Sequence, residues 1–338
     1  MTYTISAPPH KKTRLDFKTL NISKIIALLP LCLASIYFFG VPALGIIIAS
    51  VLSAVATEFV IQTSLKQKVT ISDGNAALVG LLLALLIPPE APIWIPVVGG
   101  FFAITVGIHV FGGIGSYIFN PVLVSWIFIK SAWPQYMTAL SIPHVGQFSD
   151  LFLEHGAGLM AGVSPILLIG GVYLIYKRYV DWRVPLSFFV TLVALPQIML
   201  FISSVMALIH EGVLNPLMYM SQLFVFLDMS PELPYAMIGA VFFGILFLAT
   251  DAPTSPVTKN GRIVYGIVCG VLVFIYGYFA NYVDGVLYGI FLANCVGSYI
   301  ELNTMPASFG TESLPERIYR KVMDRVPSSL KFEVMNNE

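Results

Sequence analysis

Long apolar stretches separated by short breaks of Gly, Pro and charge dominate the chain, and their length selects membrane helices. A hydrocarbon core of roughly 30 Å takes about 20 apolar residues per helix, and unsatisfied backbone groups exclude every spanning form except helices and closed barrels. The punctuation predicts ten spans, near 25–39, 41–63, 75–88, 93–111, 121–138, 163–177, 184–209, 235–250, 262–280 and 283–300. The third is short and ends at Ile87-Pro88-Pro89, and Pro or Gly interrupts several others, so half-length or re-entrant helices are expected. The fold class is therefore all-α and polytopic, with a leading segment 1–24, a membrane domain 25–304 and a tail 305–338. Ten spans in two sets of five would give inverted repeats, roughly 25–138 and 163–300.

Composition agrees: of 338 residues, 57% are apolar and only 11% charged, against about 25% charged in soluble domains. Eighteen Lys+Arg balance 18 Asp+Glu, so the basic footprint of a nucleic-acid binder is absent and no nucleic-acid partner is expected. The charged opening residues predict no cleaved secretory signal. Cys32, Cys269 and Cys295 are isolated in apolar runs and predict packing residues, with no disulfide framework and no metal motif.

Charge also orients the spans, because Lys and Arg collect in cytoplasmic loops. Seventeen of the 18 basic residues fall before span one or after spans two, six, eight and ten, while the opposite loops carry Glu90, Asp150, Glu154, Glu211, Asp228, Glu232 and Asp284. Both termini are thus expected in the cytoplasm, with the two longest connections, about 139–162 and 210–234, outside.

Charges inside the membrane are costly and mark function by default. Lys130, about ten residues into span five, is the one basic residue off the cytoplasmic face; it reads as part of an ion path or as a lysine snorkelling beside Trp133. Glu58, just inside span two, reads as an ion-path carboxylate or as an interfacial group near Lys66. Asp73-Gly74-Asn75, Asn120-Pro121 and Asp251 gather at cytoplasmic helix ends. Asp73 and Asn120 suit N-caps, and the same helix starts would hold a phosphate, a carboxylate or a flavin phosphate. Gly112-Gly113-Ile114-Gly115 lacks the phosphate-loop pattern and reads as a turn. His144, His155 and His210 match no zinc spacing, and no G-x-S-x-G elbow exists, so no catalytic residue or metal ligand is assigned.

Several blocks together resemble one family: the D subunit of the Rnf ion-translocating electron-transport complex and the B subunit of the sodium-translocating NADH:quinone oxidoreductase. They are Ser72-Asp73-Gly74-Asn75-Ala76-Ala77-Leu78 running on to Ile87-Pro88-Pro89-Glu90, Phe111-Gly112-Gly113-Ile114-Gly115 with Phe119-Asn120-Pro121, Trp182-Arg183-Val184-Pro185, Ala249-Thr250-Asp251 with Thr258-Lys259-Asn260-Gly261-Arg262, and Tyr282-Val283-Asp284-Gly285. The resemblance implies a urea-transporter-like fold of ten helices in two inverted repeats. It also implies other Rnf-type membrane and peripheral subunits as partners, a place in a bacterial or archaeal plasma membrane, and electron transport coupled to Na+ or H+ movement. Family members carry FMN on a threonine of an outer-loop S-x-A/G-T-x-L motif. The corresponding segment here, His155-Gly156-Ala157-Gly158-Leu159-Met160-Ala161-Gly162-Val163-Ser164-Pro165, has no threonine, so covalent FMN is not expected. A noncovalent FMN or riboflavin among Asp73, Asn75, Asn120 and Asp251 is the alternative, and a stand-alone channel or transporter for a small solute is the competing function.

Overall fold

The computed structural model describes residues 16–137, 160, 164–211, 239–279 and 282–306. The two long connections, His144 and His155, most of the 155–165 segment and nearly all of the tail lie outside the described residues, as does the His210 side chain. Among the described residues there is no strand, and ten helices follow one another: α1 Phe17–Phe39, α2 Val41–Ser64, α3 Asn75–Leu85, α4 Trp94–Ile104, α5 Pro121–Ala132, α6 Ser164–Tyr176, α7 Arg183–Glu211, α8 Gly239–Leu248, α9 Lys259–Phe279 and α10 Tyr282–Thr304. In four of them, α1, α2, α9 and α10, a stretch of at least 18 residues is long and apolar enough to cross a membrane; the others contribute shorter apolar segments. The chain is thus a polytopic, all-α membrane protein.

The largest departure from the sequence-based expectation is at the start. Helix α1 begins at Phe17, capped by the Asp16 side chain, which accepts from the Phe17 amide at 2.8 Å. Lys24 consequently lies inside the helix and is buried. Elsewhere the punctuation does what it should. Gly40 ends α1 with φ +70 and Pro42 opens α2, where a missing amide hydrogen costs nothing. Asn120 caps α5 by accepting from the Val122 amide at 2.9 Å, with Pro121 in the first turn. Asp73 acts one residue off the cap position: Gly74 is the N-cap of α3, and the Asp73 carboxylate accepts from the Asn75 amide at 2.8 Å.

Helices in lipid gain no hydrophobic drive from meeting one another, so close backbone approach has to hold them. Around α2, a Cβ on Gly80 of α3 would stand 2.8 Å from the Val51 Cα, and one on Gly100 of α4 would stand 2.9 Å from the Ser50 carbonyl oxygen. The Ser50 hydroxyl completes the crossing by donating to Gly80 O at 2.7 Å. The two parts of the chain meet where α6 crosses α1, with Gly170 against the Ala27 backbone, and where α5 faces α10, with Phe119 stacked on Phe291 at 4.7 Å and Trp126 edge-on to Tyr288.

Outside the spans, Asp181 ties the α6–α7 turn to α9. Its Oδ2 accepts from Arg262 Nη1 and, at 3.1 Å, from Arg183 Nη1, while Oδ1 accepts from the Arg183 amide at 3.0 Å. Burial works against the Asp181 carboxylate, but the Arg183 amide and the two guanidiniums outweigh it and hold the carboxyl below its usual range.

Two outcomes follow for thermal melts in detergent. Gly80→Ala should destabilise by about 1–3 kcal/mol, since backbone rather than a side-chain tip meets the new methyl, whereas Gly45→Ala, which meets open space, should not. Equal melting of the two variants would contradict the packing. Asp181→Asn should destabilise at neutral pH; because the native carboxyl protonates below its unfolded value of about 3.9, the gap from wild type should close as pH falls through and below that value. A gap that persists in acid would contradict the ion-pair account.

Candidate functional site

Three polar groupings stand inside the apolar bundle, and each joins elements far apart in sequence. The first centres on α1. Asn21 and Lys24, one helical turn apart, face different partners: Asn21 Nδ2 donates to Asp73 O at 3.2 Å, and Lys24 Nζ lies 3.7 Å from Asp251 Oδ1. The Tyr117 hydroxyl donates to Asp251 Oδ2 at 3.2 Å, and Asn120 Nδ2 donates to Leu248 O at 3.2 Å, so the break after α8 is held from α1 and from the start of α5. With its amide turned so that both ends are satisfied, Asn294 of α10 accepts from the Asn120 amide at 3.1 Å and donates to the Tyr265 hydroxyl at 2.6 Å. The last turn of α8 is a π turn, Gly244–Leu248, whose i→i+5 bond from Ala249 N to Gly244 O leaves Asp251 just beyond a helix end.

Helix α1 therefore reaches Asp73 through Asn21 and Asp251 through Lys24, and Lys24 is a residue that the sequence pattern alone puts in the leading segment. A Lys placed at the edge of a predicted span with an otherwise apolar continuation is the signal that could have found it. Partial burial pushes the Asp73 carboxyl up, with the Asn75 amide pulling it back. Asn75 itself is buried, and its Nδ2 has no acceptor among the described residues.

That donor set bears on a flavin. A phosphate takes cations or free helix-start amides, and here Lys24 already faces Asp251 while the Asn75 and Val122 backbone amides are taken by the Asp73 and Asn120 side chains. The Asn75 side-chain amide hydrogens, by contrast, suit a neutral carbonyl. The residues fit an uncharged isoalloxazine ring better than a phosphate group.

The second grouping holds Glu58. It is buried, and instead of facing Lys66 its Oε2 lies 2.9 Å from His109 Nε2 while Oε1 accepts from Gln62 Nε2. In the sequence His109 escapes notice because it is one polar residue in an apolar run; a titratable side chain inside a predicted span is the available signal. The third grouping holds Lys130. Rather than reaching toward Trp133, its ammonium pairs with Asp284 of α10 at 3.1 Å, donates to Met137 O at 3.1 Å and lies 5.8 Å from the Trp126 ring centre. Lys130 and Glu58 thus belong to separate pairs. Among the described residues no group of three His, Cys, Asp or Glu side chains could hold a metal ion.

Comparison with known proteins gives these features a context. The chain is 48% identical over 311 residues to the D subunit of the ion-translocating oxidoreductase complex of Methanosarcina acetivorans, covering 91% of this chain and 98% of that one. It is 32% identical over 338 residues to the D subunit of the Na(+)-translocating ferredoxin:NAD(+) oxidoreductase complex of Acetobacterium woodii, covering 93% and 97%. It is 30% identical over 341 residues to the D subunit of the proton-translocating ferredoxin:NAD(+) oxidoreductase complex of Clostridium ljungdahlii, covering 91% and 96%. With residues 4–310 matching the family's pattern, and with relatives aligned over nearly their whole length, the chain belongs to the NQR2, RnfD, RnfE family.

Proposed function

We propose that this chain is the integral membrane D-type subunit of an Rnf-type complex that couples electron transport to movement of Na+ or H+. The observation that carries the reading is the co-linear 48% identity with such a D subunit over nearly the whole of both chains. Ion pairs whose lysines, Lys24 and Lys130, sit within apolar helices supply a second support, since such charges are retained where ions or protons move. The chain takes its place among other membrane and peripheral subunits that hold the remaining redox centres. Its ten helices form two inverted sets of five, a plan supported by the five described helices on each side of residues 138–163. It lies in the plasma membrane with both termini cytoplasmic, as the distribution of its basic residues favours.

Lys130 and Glu58 line the ion path, and Asp73, Asn75, Asn120 and Asp251 surround a noncovalent flavin. The uncommitted Asn75 side-chain amide suits the ring that both flavins share, while the committed Lys24 and the capped helix-start amides favour riboflavin over FMN. When bound, the flavin supplies one- and two-electron chemistry; the chain's part is to orient it and exclude water.

Purification of the tagged full chain from its native membrane in mild detergent should bring down further subunits with electron-transfer activity. Recovery of this chain alone, together with passive solute flux through vesicles containing it, would replace the complex-bound role with a stand-alone channel. Within the complex, Lys130→Ala should lower coupled ion movement severalfold while electron transfer continues, because Asp284 loses its counter-charge; unchanged coupling would remove Lys130 from the path. Acid denaturation should release flavin into the supernatant, and a fluorescent band at 37.0 kDa on a denaturing gel would overturn the noncovalent assignment.

A further inference from the structure

The Glu58 grouping carries an inference of its own, which rests on the ion-translocating reading and deepens it. Along α2, Glu58 and Gln62 are one turn apart on the buried face. Gln62 Nε2 donates to Glu58 Oε1 and, at 2.8 Å, to the Thr70 hydroxyl, while Gln62 Oε1 accepts from the Thr70 amide at 2.8 Å. The amide is thereby fixed at both ends, and it presents only hydrogens to the carboxylate. On the other oxygen stands His109 Nε2, 2.9 Å away. The side chains of Glu58 and His109 are only 4% and 13% exposed.

His109 reaches this position because α4 ends in a π turn, Thr105–His109, closed by a bond from Val110 N to Thr105 O at 3.0 Å. Each residue of a regular helix turns the chain by about 100°, so the extra residue of the π turn re-aims His109 toward α2. Glycines with positive φ follow at Gly112 and Gly113 and release the chain from the helix.

Occupancy follows from donor chemistry. A hard cation such as Na+ gathers several oxygens, yet both Glu58 oxygens already face nitrogen, and imidazole is a poor ligand for hard ions. A proton needs only these two groups. We propose that Glu58 and His109 form a proton-binding dyad: empty, the pair carries one negative charge; loaded, it holds one proton shared between imidazole and carboxylate and is neutral. Gln62 is a positioning residue that orients the carboxylate. The exposed stretch 63–69 begins in the last turn of α2, just over one helical turn beyond Glu58.

The charged groups on elements packed against α2 are few. The α2–α3 connection bears Lys66, Lys68 and Asp73, α1 bears Lys18 and Lys24, the latter paired with Asp251, α3 and α4 bear none, and α5, against the π turn, bears Lys130, paired with Asp284. Among the described residues His109 is the titratable group in contact with the Glu58 carboxylate.

Histidine-labelled full-length chain in nanodiscs allows His109 to be titrated by NMR, its signal identified by its loss in His109→Gln. Glu58→Gln should change the pH dependence of the His109 signal, because the carboxylate that shares its proton is gone. An unchanged His109 titration would overturn the dyad. Infrared titration of His109→Gln provides an independent arm: the pH at which the buried carboxylic acid band appears should differ from that in wild type, and an unmoved band would also overturn it. Both readouts use this chain without partners. A chain that shows the coupled titrations but copurifies with no other subunit keeps the dyad and loses the place in a complex; an assembled, active complex with uncoupled titrations does the reverse.

Discussion

A charge buried in an apolar helix bundle has to meet an opposite charge or a polar partner on another element, and this requirement organises the molecule. Lys24 on α1 answers Asp251 beyond α8 and Lys130 on α5 answers Asp284 on α10, while the Glu58 carboxylate on α2 is met by the His109 imidazole at the end of α4. Taking either member into hydrocarbon alone would cost several kcal/mol, so each pair fixes which helices must be neighbours. Packing then closes the distances. Glycines let α3 and α4 lie directly on α2, and α6 on α1, bringing backbone near enough for the polar side chains to reach.

The interrupted helices serve the same requirement. A continuous helix satisfies its own backbone and offers no polar end within the bundle, whereas α4 and α8 end in π turns and α5 starts at a side-chain cap. At those ends stand His109, Asp251 and Asn120. The α8 break is held from three directions, by Lys24, Tyr117 and the Asn120 amide bonded to Leu248 O, so a shift of α1 or α5 is felt there directly.

Much of the architecture is legible in the sequence because Gly, Pro and short polar residues mark helix ends by local chemistry. Asn120-Pro121 marks the start of α5, and Gly40 with Pro42 marks the junction of α1 and α2. The interior charges are visible as unusual, yet their partners are not, since pairing is a property of the folded chain. Tyr117 and Asp251 lie 134 residues apart, and Glu58 and His109 lie 51 apart. Periodicity carries no information over such spans. Lys24 is misplaced by pattern alone for a related reason: next to other cations it resembles a loop residue, and only the carboxylate arriving from after α8 makes its burial tolerable. His109 disappears into an apolar run because one polar residue barely alters the hydrophobicity of a window, although it is the group that gives Glu58 its chemistry.

The central claim, that counter-charges on distant elements hold the bundle together, is tested most directly by a double-mutant cycle on Lys24 and Asp251. Unfolding of the purified chain would be compared for wild type, Lys24→Met, Asp251→Asn and the double variant. Each single change should cost about 3–5 kcal/mol by leaving a buried charge unpaired, and the double variant should recover most of that loss. Costs that simply add in the double variant would contradict the account.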